Sequence, residues 1–264
     1  MLFNNLPPRT EKPQQLASYA RYQSDEAVAQ YCDAHYGPDK FGVANFSRQL
    51  TNLCLEATAD ASGQSALVLG CAVGRTVFEL ATHFEHVTGI DYSSRFIEIA
   101  NRLKQSGKLR YPVHEEGELI SDRDIRLTDF QLADTTERVS FRQGDAQELD
   151  DDLTGYNLIL AANLIDRLPD PISFLSDIHE RLASDGILVI ASPYDWLEKY
   201  TPKKKWLGGL FKKGNPVASF DGLTNRLAKK FELIGEPTDI EFVIRKTART
   251  YNHGISQVTV WKRL

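Results

Sequence analysis

The chain has 264 residues, of which 42% are hydrophobic and 25% are charged, and its formal net charge is -5. This composition is typical of a globular protein built as one α/β domain with additions, and it argues against wholesale disorder. The acidic balance gives no general attraction to nucleic acid, whose binders usually have a basic domain or stripe. No apolar run approaches the roughly 20 residues that cross a bilayer, and no apolar signal core follows a positively charged start. We therefore expect a cytoplasmic protein that has neither nucleic acid nor a membrane as a partner.

The cysteines indicate the same compartment. Cys32, Cys54 and Cys71 are odd in number and lack the spacing of metal ligands. They fit a reducing environment, so we expect neither a disulfide nor a metal site.

The chain is predicted to consist of a short N-terminal arm and one domain. The arm covers residues 1–24, which contain three prolines, and the domain covers residues 25–264. Within the domain, residues 108–138 and 193–220 are longer than ordinary loops, and long loops in compact domains often act as lids or binding loops. We expect both loops near the active site. The lysine cluster of the second one is interpreted as a solvated loop, with anion binding as the alternative.

Along the domain, the predicted elements alternate between helices and strands. Apolar residues at helical spacing predict helices over residues 26–31, 48–59, 76–84, 94–107 and 171–182. Short apolar runs predict parallel strands over residues 65–69, 86–90, 139–142, 156–161 and 186–191. Two more strands, over residues 242–245 and 255–262, are predicted to be joined by a turn at residues 251–254. This order predicts an α/β fold with right-handed crossovers, helices on both faces of a mostly parallel sheet and one antiparallel C-terminal strand.

A loop with small residues follows the first predicted strand. Ligands of open α/β sheets bind outside the carboxyl ends of the strands, where a chain that touches the ligand needs little side-chain bulk. Gly70, Ala72 and Gly74 meet this need, and the helix after them presents free N–H groups at its start. Taken alone, this pattern is a weak indication of a nucleotide-like ligand.

Two carboxylates strengthen the prediction. Asp91 ends the second strand seventeen positions after Gly74, where it can accept hydrogen bonds from both ribose hydroxyls of an adenosine. Asp145 follows the third strand and can accept from the adenine amino group, while Ala146 leaves room for the ring. Either aspartate alone fits a turn or a helix cap, but the three elements together indicate an adenosyl cofactor.

Four segments of the central region, ALVLGCAVGR, GIDYS, FRQGDAQEL and NLILAANLIDRL, resemble motifs I to IV of the class I methyltransferases. This resemblance implies a Rossmann-like fold with a seven-stranded sheet, and S-adenosylmethionine as the methyl donor, which leaves as S-adenosylhomocysteine. It also implies that Asn163 faces the sulfonium. The implied cofactor contacts are Tyr36, Gly70, Cys71, Ala72, Gly74, Asp91, Tyr92, Asp145, Ala146 and Asn163. The chain departs from the family at Val68, where an acidic residue is frequent, and at Ala72, where glycine is frequent.

Further segments resemble a narrower family, the 5-thiohistidine methyltransferases of ovothiol biosynthesis, which occur alone or as the C-terminal domain of the sulfoxide synthase. The segments are YCDAHYG with Asn45-Phe46, then ANLIDRL, SPYDWL and the ending from FVIRKTAR to QVTVW. The resemblance implies methylation of the imidazole nitrogen nearer the side-chain attachment point of a thiol-imidazole amino acid. The chain departs from the pattern at Lys246, where an acidic residue is expected.

Methyl transfer of this kind needs no covalent intermediate, because the sulfonium already activates the leaving group. Positioning then supplies most of the rate acceleration, on the order of 7–11 kcal/mol. A general base is needed only to keep the attacking nitrogen unprotonated or to take a proton afterwards. The candidate catalytic residues are Asn163, Asp166, Tyr194 and His253. The candidate substrate-binding residues are Asn45, Trp196 and Arg245.

Each candidate also has a structural interpretation. Tyr194 and Trp196 are compatible with core or lid packing, and Asp166 with an ion pair to the next residue. Arg245 is compatible with a salt bridge in the terminal hairpin instead of a substrate carboxylate. His253 lies in a predicted turn, where a solvated histidine is ordinary, although its usual pKa suits proton transfer.

Three other functions stay open at this point. A methyltransferase for another small molecule would have the same cofactor motifs. A nicotinamide-dependent oxidoreductase would need the G-x-G-x-x-G pattern, which the chain lacks because Ala72 replaces the second glycine and no third one follows. The third is a catalytically silent cofactor-binding or interaction protein, and the intact set of Gly70, Gly74, Asp91 and Asp145 argues against it. The oligomeric state, monomer or homodimer, is undetermined by the sequence.

Overall fold

The computed structural model describes residues 19–59 and 64–264. Most of the predicted N-terminal arm lies outside the described residues. The helices of the described part, in chain order, are α1 (Asp25–Tyr36), α2 (Phe46–Ala57), α3 (Arg75–Leu80), α4 (Ser94–Ser106), α5 (Pro171–Asp177) and α6 (Ser219–Leu227). The strands are β1 (Ser65–Leu69), β2 (His86–Asp91), β3 (Lys108–Glu116), β4 (Leu119–Arg126), β5 (Val139–Gln143), β6 (Tyr156–Ala162), β7 (Leu182–Ser192), β8 (Leu210–Lys212), β9 (Asn215–Val217), β10 (Phe231–Arg245) and β11 (Tyr251–Arg263).

Seven strands form one sheet in the order β10-β11-β7-β6-β1-β2-β5. The five strands β7, β6, β1, β2 and β5 are parallel to one another, whereas β11 runs antiparallel to both β7 and β10. The predicted mostly parallel sheet with one antiparallel strand is therefore confirmed. The order reverses between β1 and β6, and this reversal opens the crevice where α/β folds bind ligands.

Alternating side chains divide the core between the two faces of the sheet. In β1, Ala66 and Val68 pack on one face, where α1, α2, α3 and α4 lie, and Leu67 and Leu69 pack on the other, where α5 and α6 lie. This alternation follows from the period of two in a strand. Since both faces are covered, every one of these four side chains is buried, as the continuous apolar run predicted.

The structure corrects the prediction that residues 108–138 form a loop. They contain the antiparallel hairpin β3–β4, followed by short 3-10 turns. Leu109, Tyr111 and Val113 are buried and alternate with more exposed residues along β3. Residues 193–220 likewise contain a small hairpin, β8–β9.

The turn of the C-terminal hairpin is also corrected. It lies at residues 246–250, where the Thr247 hydroxyl accepts hydrogen bonds from two following N–H groups, and not at residues 251–254. Gly254, which we expected in the turn, pairs with Phe242 inside the sheet. A Cβ at position 254 would overlap the Phe242 ring, so the glycine makes room for an aromatic side chain and does not mark a turn.

Among the helices of residues 19–59 and 64–264, none is both long and apolar enough to span a membrane. The same ranges contain no group of three or more His, Cys, Asp or Glu side chains arranged to hold a metal ion.

Candidate active site

A pocket opens at the carboxyl edge of the sheet, above the ends of β1, β2, β5 and β6. The pocket has two ends, which are lined by different parts of the chain. We name each end after the outer strand of the sheet on its side, β5 or β10. We call the part lined by residues 70–72, 91–93 and 144–146 the β5 half. The part lined by residues 34–35, 38–40, 43–47 and 242–244 is the β10 half.

In the β5 half, the loop after β1 turns sharply beneath the pocket. The backbone N–H groups of Gly70 and Cys71 both donate to the carbonyl oxygen of Ile90, at 2.9 and 3.0 Å. This fixes the loop against the end of β2. Gly70 has φ 72° and Ala72 has φ 47°, so the alanine lies in the left-handed region that glycine adopts without strain. The replacement of the frequent glycine by Ala72 thus produces a strained backbone conformation at the floor of the pocket.

The Asp91 carboxylate joins this loop to the start of α4. Its Oδ2 accepts from the N–H of Ala72 and its Oδ1 from the N–H of Ser93, both at 2.8 Å. Burial raises the pKa of Asp91 to about 6, and the two N–H donors act in the opposite direction. Each oxygen uses one of its lone-pair directions in these bonds, so both can still accept a hydroxyl.

Three more predicted cofactor residues lie in the β5 half. Asp145, Ala146 and Tyr92 all line the pocket. The Asp145 Oδ1 accepts from the N–H of Gln147 at 2.8 Å, which is the capping role expected of an aspartate in a turn. Tyr92 is 39% exposed, and its ring lies 4.9 Å from the ring of Tyr19.

The β10 half has aromatic walls. Phe46 at the start of α2 and Phe242 on β10 pack edge to face, with ring centroids 5.6 Å apart, and both line the pocket. Asn45 lines it as well, but its amide is occupied by the backbone. Its Oδ1 accepts from Arg48 N and its Nδ2 donates to the carbonyls of residues 34 and 35, which ties α2 to the end of α1.

His35 lines the same half and is uncharged at neutral pH. Burial lowers its pKa to about 3, with the neighbouring Arg75 guanidinium as the second cause. An Arg75 N–H also donates to the His35 carbonyl oxygen at 2.5 Å. The segment that contains His35 was singled out in the sequence, but the histidine itself was not.

Asn163 follows β6 and lies between the two halves. Its backbone is left-handed, with φ 52°, and its N–H donates to the Ala191 carbonyl oxygen at 2.8 Å. Its side-chain Oδ1 accepts a hydrogen bond from the Ser256 hydroxyl at 2.7 Å. Asn163 lines the pocket.

Tyr36 and Gly74 support the cofactor loop from outside the pocket lining. The buried Tyr36 hydroxyl donates to the Val73 carbonyl oxygen at 3.2 Å. Gly74 has φ 91°, and a Cβ there would lie 2.9 Å from the Phe141 ring. Neither residue lines the pocket, although both were expected to contact the cofactor. Tyr36 stabilises the loop by its hydrogen bond, and Gly74 lets the loop pack closely against the core.

Three predicted substrate-side residues lie behind the pocket wall. Asp166 is fully buried, and its Oδ2 accepts from Arg167 at 2.8 Å and from the N–H of residue 195 at 3.1 Å. The Tyr194 hydroxyl donates to Gln257, and the buried Trp196 donates to Ser219. The structure therefore corrects their expected location, because these contacts direct the three side chains into the packing around β7.

Arg245 and His253 also lie outside the pocket. Arg245 is 5% exposed and forms an ion pair with Glu115 of the β3–β4 hairpin at 2.5 Å. His253 lies in β11, not in a turn, and its Nε2 is 2.5 Å from a Glu241 carboxylate oxygen on β10. The salt-bridge interpretation of Arg245 holds, with a partner from a different hairpin than expected.

Three tyrosines near the start of the predicted domain were not identified from the sequence as pocket residues. Tyr19, Tyr22 and Tyr31 all line the pocket. The Tyr19 hydroxyl donates to the Arg167 carbonyl oxygen at 3.1 Å, and the Ser93 hydroxyl donates to the Tyr22 carbonyl oxygen at 2.7 Å. Residues 19–24, predicted to belong to a loose arm, are thus bonded to both sides of the pocket. The density of tyrosines between positions 19 and 36 was the available signal.

Comparison with known proteins identifies the family. A sequence profile of the methyltransferase domain matches residues 44–229, which is more than half of the chain. The chain belongs to the methyltransferase domain family. The predicted cofactor and enzyme class are thereby confirmed: the protein is a methyltransferase that uses S-adenosylmethionine. No curated protein matches its sequence.

Solved structures share the fold of this methyltransferase at low sequence identity. Magnesium protoporphyrin IX methyltransferase from Synechocystis PCC 6803, with bound S-adenosylmethionine, has a TM-score of 0.57 at 13% identity and covers 97% of this chain and 100% of its own. The [4+2]-cyclase SpnF has a TM-score of 0.57 at 15% identity, with 95% and 97% covered. The N-methyltransferase NodS from Bradyrhizobium japonicum WM9 has a TM-score of 0.50 at 16% identity, with 89% and 98% covered. At these identities the likeness shows the fold alone.

The β5 half of the methyltransferase fits an adenosyl group. Asp91 keeps two acceptor directions free at the end of β2, where a ribose needs them, and no side chain at Gly70 narrows the floor. Ala146 leaves the space beside Asp145 for a ring. When bound, S-adenosylmethionine supplies an electrophilic methyl group, and these residues would hold its nucleoside part.

Proposed function

We propose that this methyltransferase transfers the methyl group to the ring nitrogen of 5-thiohistidine nearer the side-chain attachment point. One observation carries the proposal. Three of the four segments in which the chain resembles the 5-thiohistidine methyltransferases are far apart in sequence, yet they contribute residues to one pocket. Their members that line it include His35, Asn45, Phe46, Asn163 and Phe242, whereas SPYDWL contributes none.

The β10 half suits a flat, partly apolar acceptor. The edge-to-face pair of Phe46 and Phe242 offers one aromatic face and one aromatic edge to a ring such as imidazole. His35 stays neutral, so it adds no positive charge that would compete with the sulfonium for the nitrogen lone pair. Held in this way, the nitrogen attacks the methyl carbon in line with the departing sulfur, and positioning supplies the acceleration.

An amino-acid acceptor also needs a cation for its carboxylate. Arg245 is unsuited to this role because it does not line the pocket and pairs with Glu115 elsewhere. We assign the role to Lys40, which lines the β10 half. Its ammonium is 2.9 Å from Asp33 and donates to the Pro38 carbonyl at 3.0 Å, so one of its three N–H bonds is left for an anion.

The deciding experiment is an assay with S-adenosylmethionine and either 5-thiohistidine or histidine, with the methyl position assigned by NMR. We expect turnover of 5-thiohistidine only, and a KM for it that rises about tenfold in Lys40→Gln, since about 1.4 kcal/mol is lost with one charged hydrogen bond. Lys204→Gln, at an exposed lysine outside the pocket, is the control. Binding of S-adenosylmethionine without methylation of 5-thiohistidine would overturn the proposal.

A second candidate is a methyltransferase for a different small molecule. It is favoured by the positions of Tyr194, Trp196, Arg245 and His253, because none of these four lines the pocket. Mass spectrometry of the products from a panel of phenols, carboxylates and amines distinguishes the two candidates.

A further inference from the structure

Ser256 on β11 contacts the pocket residue Asn163 although the two are 93 positions apart in sequence. The Ser256 hydroxyl lies 2.7 Å from the Asn163 Oδ1 and donates to it. Ser256 itself is completely buried and does not line the pocket. It is not among the site residues that we inferred from the sequence.

The position of Ser256 follows from the register of β11. It pairs with Ile240 of β10, and the next residue, Gln257, pairs with Ser192 of β7. Successive side chains of a strand point to opposite faces of the sheet. Gln257 accordingly accepts from the Tyr194 hydroxyl behind the pocket wall, whereas Ser256 faces the Asn163 side.

A buried hydroxyl is costly unless it is hydrogen-bonded, and Asn163 is the partner that Ser256 has. The bond also settles the orientation of the Asn163 amide. A primary amide has an acceptor at one end and two donors at the other. With Oδ1 held toward β11, the Nδ2 end is directed to the other side. Within the described chain, no residue accepts a hydrogen bond from this Nδ2.

We propose that Ser256 is a positioning residue that turns the Asn163 amide so that its NH2 group faces the pocket as a donor. This inference rests on the methyltransferase activity, and not on 5-thiohistidine as the acceptor. The donor binds an atom of the acceptor that bears negative charge, such as a thiolate or a carboxylate oxygen. It does not bind the attacking atom, whose lone pair must stay free for the methyl group.

The left-handed backbone of Asn163 supports the same role. With φ at 52°, the residue adopts a conformation that asparagine tolerates better than most side chains. Its N–H is fixed to the Ala191 carbonyl at 2.8 Å. Since the backbone is fixed, rotation of the side chain is the freedom that remains, and the Ser256 hydroxyl removes it.

The test compares variants of one position. Ser256→Ala should lower kcat about tenfold, which corresponds to the loss of one neutral hydrogen bond of about 1.4 kcal/mol, and leave the Kd of S-adenosylmethionine within twofold. Ser256→Thr and Ser256→Val add nearly the same volume, but only threonine keeps the hydroxyl. We therefore expect Ser256→Thr to have several times the kcat of Ser256→Val.

Ser140→Ala is the matched control, because its hydroxyl on the outer strand β5 bonds to Thr88 on β2, and neither residue lines the pocket. It should keep the wild-type kcat. Equal kcat values for Ser256→Thr and Ser256→Val would overturn the proposal, since packing alone would then account for the loss.

A second measurement is independent of the acceptor. In the ligand-free protein, the side-chain NH2 resonances of Asn163 are assigned by their disappearance in Asn163→Asp. Ser256→Ala should shift or broaden them, while Ser140→Ala should not. Unchanged Asn163 resonances in Ser256→Ala would refute the positioning role even if 5-thiohistidine proves not to be the substrate.

Discussion

The two halves of the pocket differ in how they are built. The β5 half consists of short loops that directly follow β1, β2 and β5, and backbone N–H groups fix its carboxylate at Asp91. The β10 half consists of the end of α1, the start of α2 and one edge of β10, which come from opposite ends of the chain. The proposed cofactor site is thus built from strand-end loops, while the proposed acceptor site, whose aromatic wall is Phe46 and Phe242, depends on packing between distant segments. Variants in the two halves should therefore fail in different ways.

The largest effect is expected at Gly74, which lets the cofactor loop approach the core. Gly74→Ala would place a Cβ 2.9 Å from the Phe141 ring at a φ of 91°, whereas Gly107→Ala, at φ 66°, meets nothing within 4 Å. Left-handed strain costs about 1–2 kcal/mol in both, and overpacking adds about 2 kcal/mol only at position 74. Urea denaturation measures the free energy of unfolding. Equal losses in the two variants would show that the loop does not pack as closely as described.

Asp91→Ala should weaken S-adenosylmethionine binding about 100-fold, or about 2.7 kcal/mol, because two hydrogen bonds to a charged acceptor are lost. Isothermal titration calorimetry measures the Kd. Asp152→Ala is the control, since that carboxylate is exposed and pairs with Arg142 away from the pocket. Wild-type affinity in Asp91→Ala would mean that the β5 half does not hold the ribose.

Arg245→Ala tests whether the β10 half needs support from the β3–β4 hairpin. Loss of the pair with Glu115 should lower the free energy of unfolding, although by less than for a fully buried pair because Glu115 is partly exposed. The acceptor KM should stay within twofold, and Glu115→Gln should reproduce the loss of stability. A large rise in the acceptor KM with an unchanged free energy of unfolding would indicate instead that Arg245 binds the substrate.

Phe242→Ala tests whether the two halves of the pocket bind different ligands. Removal of the ring from the acceptor wall should raise the acceptor KM about tenfold, or about 1.4 kcal/mol, and leave the Kd of S-adenosylmethionine unchanged. Phe211→Ala removes the same ring from a site that is 77% exposed and serves as the control. An equal loss of cofactor affinity in Phe242→Ala would contradict the division into two halves.

The smallest effect concerns pH. The pKa of Asp91 is about 6 in the folded protein, above its ordinary value, so the carboxyl takes up a proton as the pH falls through 6. The protonated form accepts fewer hydrogen bonds, and the affinity for S-adenosylmethionine should drop about twofold at pH 6 and tenfold at pH 5. Because folding disfavours the charged form, Asp91 also makes the fold less stable as the pH rises from about 4 to 6. A cofactor affinity that is constant from pH 7 to 5 would contradict the assigned pKa.

The β5 half could be predicted from the sequence because its signals are local. Small residues after a buried strand and a carboxylate at the end of the next one stand within a few positions of the structures they form. The β10 half gave no comparable signal, since the meeting of Phe46 with Phe242 depends on the whole fold. Local patterns gave a wrong prediction where a residue is needed for a contact with a distant part of the sequence. Gly254 was predicted to lie in a turn, but it makes room for the Phe242 ring on the neighbouring strand.

The β3–β4 hairpin was missed for a different reason. Leu109, Tyr111 and Val113 alternate as a strand requires, but Pro112 stands among them and charged residues surround them. Proline is tolerated on an edge strand, and this small sheet has two strands that are both edges. The position of Arg245 could not be inferred because its partner, Glu115, belongs to this hairpin.

Gly254, the residue opposite Phe242 on β11, affects the position of an aromatic side chain of the pocket. Position 254 lies outside the pocket, yet the volume of its side chain decides how far the Phe242 ring can recede toward β11. Any larger residue there would displace the ring and disturb its edge-to-face contact with Phe46. If the β10 half binds the acceptor as proposed, the shape of its binding site then depends partly on a residue that does not line the pocket.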